Sequence, residues 1–158
     1  MSLELNSPAF DSGESIPEKY TCQGKNVSPP LTWRGVPEET EALVLICDDP
    51  DATSNVGGPF SHWVLYDLPS HVEEVPEGFS SGSESPEMGK EGRNSFGNVS
   101  YDGPCPPRGE SHQYVFRLYA LKDDPGLQAG ATRAQVLDHI EGHVLDRAEV
   151  LAQFAGSS

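Results

Sequence analysis

The sequence predicts a mainly β fold, and three observations carry that prediction. The 158-residue chain is cut by 16 Gly and 14 Pro into short runs, which suits strands and irregular loops and suits helices poorly before about residue 130. Three of those runs, residues 42–48, 60–67 and 111–121, are apolar, aromatic or β-branched at strand length. Helical spacing is found in one place only, after Gly130.

Taken in order, LTW at 31–33 lies between SPP and GVP and reads as a brief strand between turns. Residues 42–48 are continuously apolar up to Asp48 and stop at Pro50, which predicts a strand buried on both faces. FSHWVLYD at 60–67 is a second strand, closed by Leu68 and Pro69. SHQYVFRLYAL at 111–121 is the third and strongest. Residues 70–100 are polar, and 76–92 read as a long surface loop. Near the end, Thr132 and Gln135 form a capping box. Val136, Leu137, Ile140, Val144, Leu145 and Ala148 then recur on one helical stripe, with Gly142 placed to bend or divide it. Residues 150–154 either continue that helix or return to the sheet. There is no internal repeat, and the length fits a single domain over 1–158.

Composition narrows the function. The formal net charge is -15, with 25 acidic residues against 10 basic ones. No Lys/Arg cluster exists to release counterions from a phosphate backbone, so nucleic acid is not an expected partner, and an anionic membrane would repel the chain. The scattered carboxylates and the four lysines favour a salt-loving source over an ordinary acidic cytoplasmic protein. No apolar run is long enough to span a bilayer, and the first residues do not read as a secretory signal. Cys22, Cys47 and Cys105 are odd in number and have no zinc-like spacing, so the expected compartment is a reducing cytoplasm.

Three segments could carry chemistry. Asp49 and Asp51 follow the buried strand at the rim of a sheet, where they either meet a ligand or cap the turn through their side chains. Strand alternation places His62 with Val64 and Tyr66, opposite Trp63 and Leu65; a lone strand histidine is by itself a weak signal. The third segment, YDGPCPPR at 101–108, leads into His112 and Tyr114 on one face of the third strand. Pro104, Pro106 and Pro107 have no N–H, and the amide of Cys105 stands among them with little freedom. A stiff turn with an unpaired amide, flanked by an imidazole and a phenol, is a preorganised place for an anion.

These segments also carry a resemblance. DDPDA at 48–52, HWVLYDLP at 62–69 and YDGPCPPRGESHQYVFRLYAL at 101–121 resemble the signature regions of the phosphatidylethanolamine-binding family. IPEKYTCQGKNVSPPLTWRGVP at 16–37 and ATRAQVLDHIEGHVL at 131–145 resemble its bacterial and archaeal branch. The resemblance implies a large antiparallel sheet packed on a smaller one, with a short C-terminal helical segment. It also implies a pocket for phosphate, a phosphoryl head group or a carboxylate, lined by Asp49, Asp51, His62, Cys105, Pro106, Pro107, His112 and Tyr114. No cofactor is implied, and relatives make a homodimer plausible. Thr53, Ser100 and Gln113 depart from the family's usual residues; Thr53 is expected to loosen the aspartate loop.

The expected chemistry is binding. The Cys105 amide, His62 and Tyr114 would donate to the anion, Asp49 would accept from a histidine or a protonated ligand oxygen, Asp51 would hold its loop, and His112 would shape the wall. Affinity would rise as pH falls through roughly 6 to 7, the histidine range. Two other classes stay open. One is a metal-dependent hydrolase using Asp49, Asp51, His62 and His112; a serine hydrolase built on Ser61 lacks the Gly-x-Ser-x-Gly elbow. The other is a protein-interaction module that inhibits a protease or kinase. No catalytic constellation is identified.

Overall fold

The computed structural model describes residues 2–53, 59–80, 89–106, 108–124 and 126–155. Its large sheet is built on three long strands, β4 (Ala42–Thr53), β5 (Pro59–Pro69) and β8 (Ser111–Leu121), joined by β9 (Val144–Ala155). With β2 (Glu14–Ser15) and β7 (Lys90–Glu91) at the edges, the order is β2-β9-β8-β4-β5-β7. A three-stranded sheet, β1 (Glu4–Asn6), β3 (Leu31–Arg34) and β6 (Glu74–Val75), runs in the order β1-β3-β6. The large sheet is mixed, not wholly antiparallel as expected, because β2 pairs parallel to β9.

The central strand β4 explains the layering. Leu43, Leu45 and Cys47 point into a core shared with Leu5, Leu31, Trp33, Trp63 and Phe116, between the two sheets. Val44 and Ile46 point the other way, onto Val64, Tyr66, Val136 and Ile140 beneath the helix α1 (Arg133–Ile140). A strand buried on both faces has no polar alternation, as its sequence shows.

Two expectations are corrected. The helical stripe ends at Ile140: Gly142 takes φ +84°, a backbone state that favours glycine, and the chain then turns back as β9. Val144, Leu145 and Ala148 therefore lie on a strand, pairing along β8 from Leu121↔Val144 to Ser111↔Ala155. The capping box itself forms, with Gln135 N donating to Thr132 Oγ1 and Thr132 N donating to Gln135 Oε1. The segment 76–92 is not all loop either. Lys90 and Glu91 pair with β5, and Glu91 accepts from Trp63 Nε1 and from Ser80 Oγ; residues 81–88 lie outside the described residues.

Candidate functional site

A β-bulge in β5 creates the site. Ile46 faces Val64 and Cys47 faces Trp63, but the next partners are Asp48 with Ser61 and Asp49 with Phe60. His62 is the extra residue. A bulge turns a side chain off the regular alternation, so His62 leaves the face of Val64 and Tyr66, where period two would put it. Its ring stands edge-on to Tyr114, 5.3 Å between centroids, and near Phe60 and Phe96. Ser61 pairs with Asp48 instead, away from this cavity.

The cavity has a volume of about 180 Å³ and is lined by Asp49, Phe60, His62, Phe96, Cys105, Pro106, His112 and Tyr114. Asp49 comes from β4, Phe60 and His62 from β5, and His112 and Tyr114 from β8. Cys105 and Pro106 come from the proline-rich segment, which is anchored at several points. Tyr101 donates its hydroxyl to Tyr20 O (2.6 Å), Gly103 N donates to Asn26 Oδ1 (2.8 Å), and Pro104 O accepts from Cys22 N (3.2 Å). Position 103 takes only glycine, since a Cβ there would meet Tyr20 O at 2.1 Å. Cys105 is joined to Cys22 by a disulfide across 83 residues.

Residues 6–155 match the family described as "Phosphatidylethanolamine-binding protein". The chain belongs to the phosphatidylethanolamine-binding protein family. Among its relatives, a UPF0098 protein of Methanothermobacter thermautotrophicus is 43% identical over 152 residues, covering 96% of this chain and 98% of that protein. One from Aquifex aeolicus is 44% identical, covering 96% and 88%. The crystal structure of a phosphatidylethanolamine-binding protein homologue, CT736 from Chlamydia trachomatis, superposes with a TM-score of 0.88 at 36% identity, covering 99% of both chains. Escherichia coli YbcL, described as a member of the mammalian family, gives 0.88 at 29%, covering 98% of this chain and 99% of its own.

Within this family member, six of the eight residues singled out from sequence converge on one cavity: Asp49, His62, Cys105, Pro106, His112 and Tyr114. Asp51 does not line it. Its backbone N donates to Asp49 Oδ1 (2.8 Å) and its Oδ2 accepts from Gln113 N (2.9 Å), so it clamps the end of β4 to β8. Pro107 lies outside the described residues, as does the side chain of Thr53. Sequence reasoning missed the two aromatic walls. Phe60 and Phe96 meet edge to face at 4.7 Å, and Phe96 is half-exposed at the mouth.

It also missed Asn94, which is buried and arranges one wall. Its Nδ2 donates to Ser100 O and to Asp102 Oδ2 (2.7 Å), while its Oδ1 accepts from Phe96 N and Asn98 N. Asp102 in turn offers its carbonyl to His62 Nδ1 at 2.7 Å.

The two histidines sit in opposite electrostatic settings. Burial is the main influence on His62 and pushes its pKa below the usual histidine value, against the pull of the Asp102 carbonyl and the Asp49 charge. The neutral ring gives its Nδ1 proton to Asp102 O and keeps a lone pair on Nε2. Hydrogen bonds to Asp49 and then to Glu110 raise the pKa of His112, outweighing its desolvation. Both ring nitrogens of His112 already have carboxylate partners, Asp49 Oδ2 at 2.6 Å and Glu110 Oε1 at 2.9 Å. Tyr114 is fully buried and its hydroxyl makes no hydrogen bond of ordinary geometry among the described residues, the Asp49 carboxylate being the acceptor nearest to it in effect. Burial, followed by the Asp49 charge, holds that phenol well above its ordinary pKa, so it stays protonated and able to donate.

Among the described residues, no group of three or more His, Cys, Asp or Glu side chains is placed to hold a metal ion. The four residues of the hydrolase reading are engaged otherwise: Asp49 with His112 and the Asp51 amide, the Asp51 carboxylate with Gln113 N, and His62 with a carbonyl. No helix among the described residues is long and apolar enough to cross a membrane. The cysteines need a correction as well, since Cys22 and Cys105 are paired and only Cys47, in the core, is free.

Proposed function

We propose that this protein binds a small oxyanion, such as phosphate, a phosphoryl head group or a carboxylate, in the cavity between Asp49, His62, Cys105, His112 and Tyr114. The observation that carries the reading is the buried, unpartnered hydroxyl of Tyr114 against that cavity. A buried donor without an acceptor costs about 1–3 kcal/mol, and a ligand oxygen would recover that cost. The Cys105 amide, which gives no backbone hydrogen bond among the described residues, is a second donor. His62 Nε2 accepts a hydrogen bond from a protonated ligand oxygen, or donates one once it is itself protonated.

The Asp49 carboxylate is tolerable beside an anion because the His112 ring stands against it. Family membership supports the same ligand class. The cavity is smaller than the roughly 300–1,000 Å³ typical of sites for drug-sized ligands, which favours a head group over a larger molecule.

Calorimetric titration with inorganic phosphate, sulfate, O-phosphoethanolamine and acetate tests the reading. One saturable site is expected, weakened in Tyr114→Phe, which removes the hydroxyl and keeps the ring. Absence of saturable binding by any of these anions overturns it.

A further inference from the structure

We propose that the Cys22–Cys105 disulfide is a redox control on the anion cavity, opened by a dithiol reductant of the thioredoxin class. The inference rests on the binding reading above and adds its regulation.

The placement of the bond carries the argument. Cys105 lines the cavity, and its partner Cys22 lies 83 residues away on a separate loop. Both residues are exposed, so a protein thiol can approach; the third cysteine, Cys47, is fully buried and takes no part. The hydrogen bonds that anchor the proline-rich segment attach at Tyr101, Asp102, Gly103 and Pro104, all before Cys105. Beyond them, Pro106 is buried and has no N–H to donate, Arg108 stands in a β-bridge, and Cys105 N gives no backbone hydrogen bond among the described residues. Pro104 O and the Cys105 N–H belong to one planar peptide group, so Cys22 holds that group twice, through the 3.2 Å hydrogen bond from its N to Pro104 O and through the disulfide. Breaking the disulfide leaves that peptide on a single hydrogen bond and loosens the wall at Cys105, next to the buried Pro106.

The step is ordinary thiol–disulfide exchange. A thiolate of the reductant attacks one sulfur of the pair, and the Cys22–Cys105 bond breaks as a mixed disulfide forms. The reductant's second thiol then attacks that mixed disulfide and closes the reductant's own disulfide. The protein gains two electrons and two protons and is left with two thiols. With the covalent link gone and one hydrogen bond left, the peptide samples positions away from the ligand, and apparent affinity falls by the fraction of time the wall is in place.

The test compares the oxidised protein, the same protein reduced with dithiothreitol, and a reoxidised sample. Phosphate binding is followed by calorimetry, and amide exchange of Cys105 and of residues 108–110 by hydrogen–deuterium exchange. The expected result is a Kd raised about tenfold on reduction, as for a wall in place about one-tenth of the time, and restored on reoxidation. Exchange in the loop should rise in parallel, and Cys22→Ser should behave as the reduced protein whatever the reductant. An unchanged Kd with unchanged loop exchange overturns the control. If neither form binds phosphate, the binding reading has failed on its own account. Loop exchange then decides the redox step separately: faster exchange on reduction upholds the tether, and unchanged exchange removes it.

Discussion

His112 donates from Nδ1 to Asp49 Oδ2 across 2.6 Å, and its other nitrogen is held at 2.9 Å by Glu110 Oε1. The two carboxylates differ in kind. Asp49 is buried and also takes the Asp51 amide, whereas the Glu110 side chain is more than half exposed and free to swing away. Glu110 thus occupies the place on His112 where an anion's oxygen would accept a hydrogen bond from Nε2, as a tethered competitor.

Removing that competitor should strengthen binding. An exposed ion pair is worth about 0.2–1 kcal/mol, so Glu110→Gln should tighten sulfate binding by about 1.4- to fivefold at low salt. The gain should shrink as salt is added, because the repulsion that is relieved lies at the surface. Titration of both proteins with sulfate at two ionic strengths checks this. Weaker binding by the variant would mean that Glu110 supports the wall.

The pH dependence follows from His62. Its folded-state pKa is lowered, so at neutral pH the ring is uncharged and its protonated form grows only below the usual value of about 6.5. An anion beside it favours the charged ring, so affinity should rise as pH falls below that value and level off once the ring is protonated. The charged and titratable groups facing His62 are Asp49, Asp102 and Tyr114, and His112 lines the same cavity. Sulfate keeps its own charge fixed, so calorimetry from pH 7.5 to 5 reads the protein alone. His62→Gln should remove the part of the rise below about 6.5 and leave any part that His112, whose pKa is raised, contributes above it; a full rise in the lower range in the variant would mean that another group titrates. In the absence of ligand the same shift makes His62 destabilising on acidification, since the unfolded chain takes up the proton more readily. His112 acts in the reverse sense. Its raised pKa contributes stability that is present below about 6.5 and is lost as pH climbs through the folded value.

Much of this arrangement is legible in the residue pattern wherever one element decides the outcome. The strand read at 111–121 spans β8 as formed, and period two alone puts Tyr114 with Phe116 and Leu118 in the core between the sheets. The capping box at Thr132 needs only four residues and forms as expected. What failed depended on partners. The face of His62 is set by how β5 registers against β4, and a one-residue bulge reverses the alternation reading. Val144, Leu145 and Ala148 fit a helical spacing, yet β8 needs an antiparallel neighbour and the long-range pairing wins. Phe96 and Asn94 come from a segment with no periodicity, and the Cys22–Cys105 pairing spans 83 residues with no local signal.

Asn94 is expected to act as a positioning residue through Phe96 and Asp102. Asn94→Ala leaves Phe96 N and Asn98 N without their acceptor and removes the bonds to Ser100 O and Asp102 Oδ2. With about 1–3 kcal/mol for each buried group left unsatisfied, the fold should lose about 2–4 kcal/mol, read from urea denaturation. Sulfate affinity at a temperature where the variant is fully folded should also fall, because Asp102 carries the carbonyl that orients His62. Lost stability with unchanged affinity would make Asn94 a structural residue only.

The disulfide also makes a claim on stability that is separate from the cavity. Cross-linking residues 83 apart restricts the unfolded chain, and the loop-entropy relation sets an upper figure of about 4–5 kcal/mol, with about 2–5 kcal/mol typical when a native bridge is removed. The hydrogen bonds at residues 101–104 survive reduction, so most of this contribution belongs to the unfolded ensemble and not to lost native contacts. Urea denaturation of oxidised and reduced protein should show the reduced form's midpoint displaced downward. The oxidised form should have the shallower slope, because a cross-linked unfolded chain exposes less surface. Thiol titration of the unfolded, oxidised protein should find one reactive group, Cys47, and three after reduction. Equal midpoints and three free thiols before reduction would remove the bridge, and with it the redox control of the cavity.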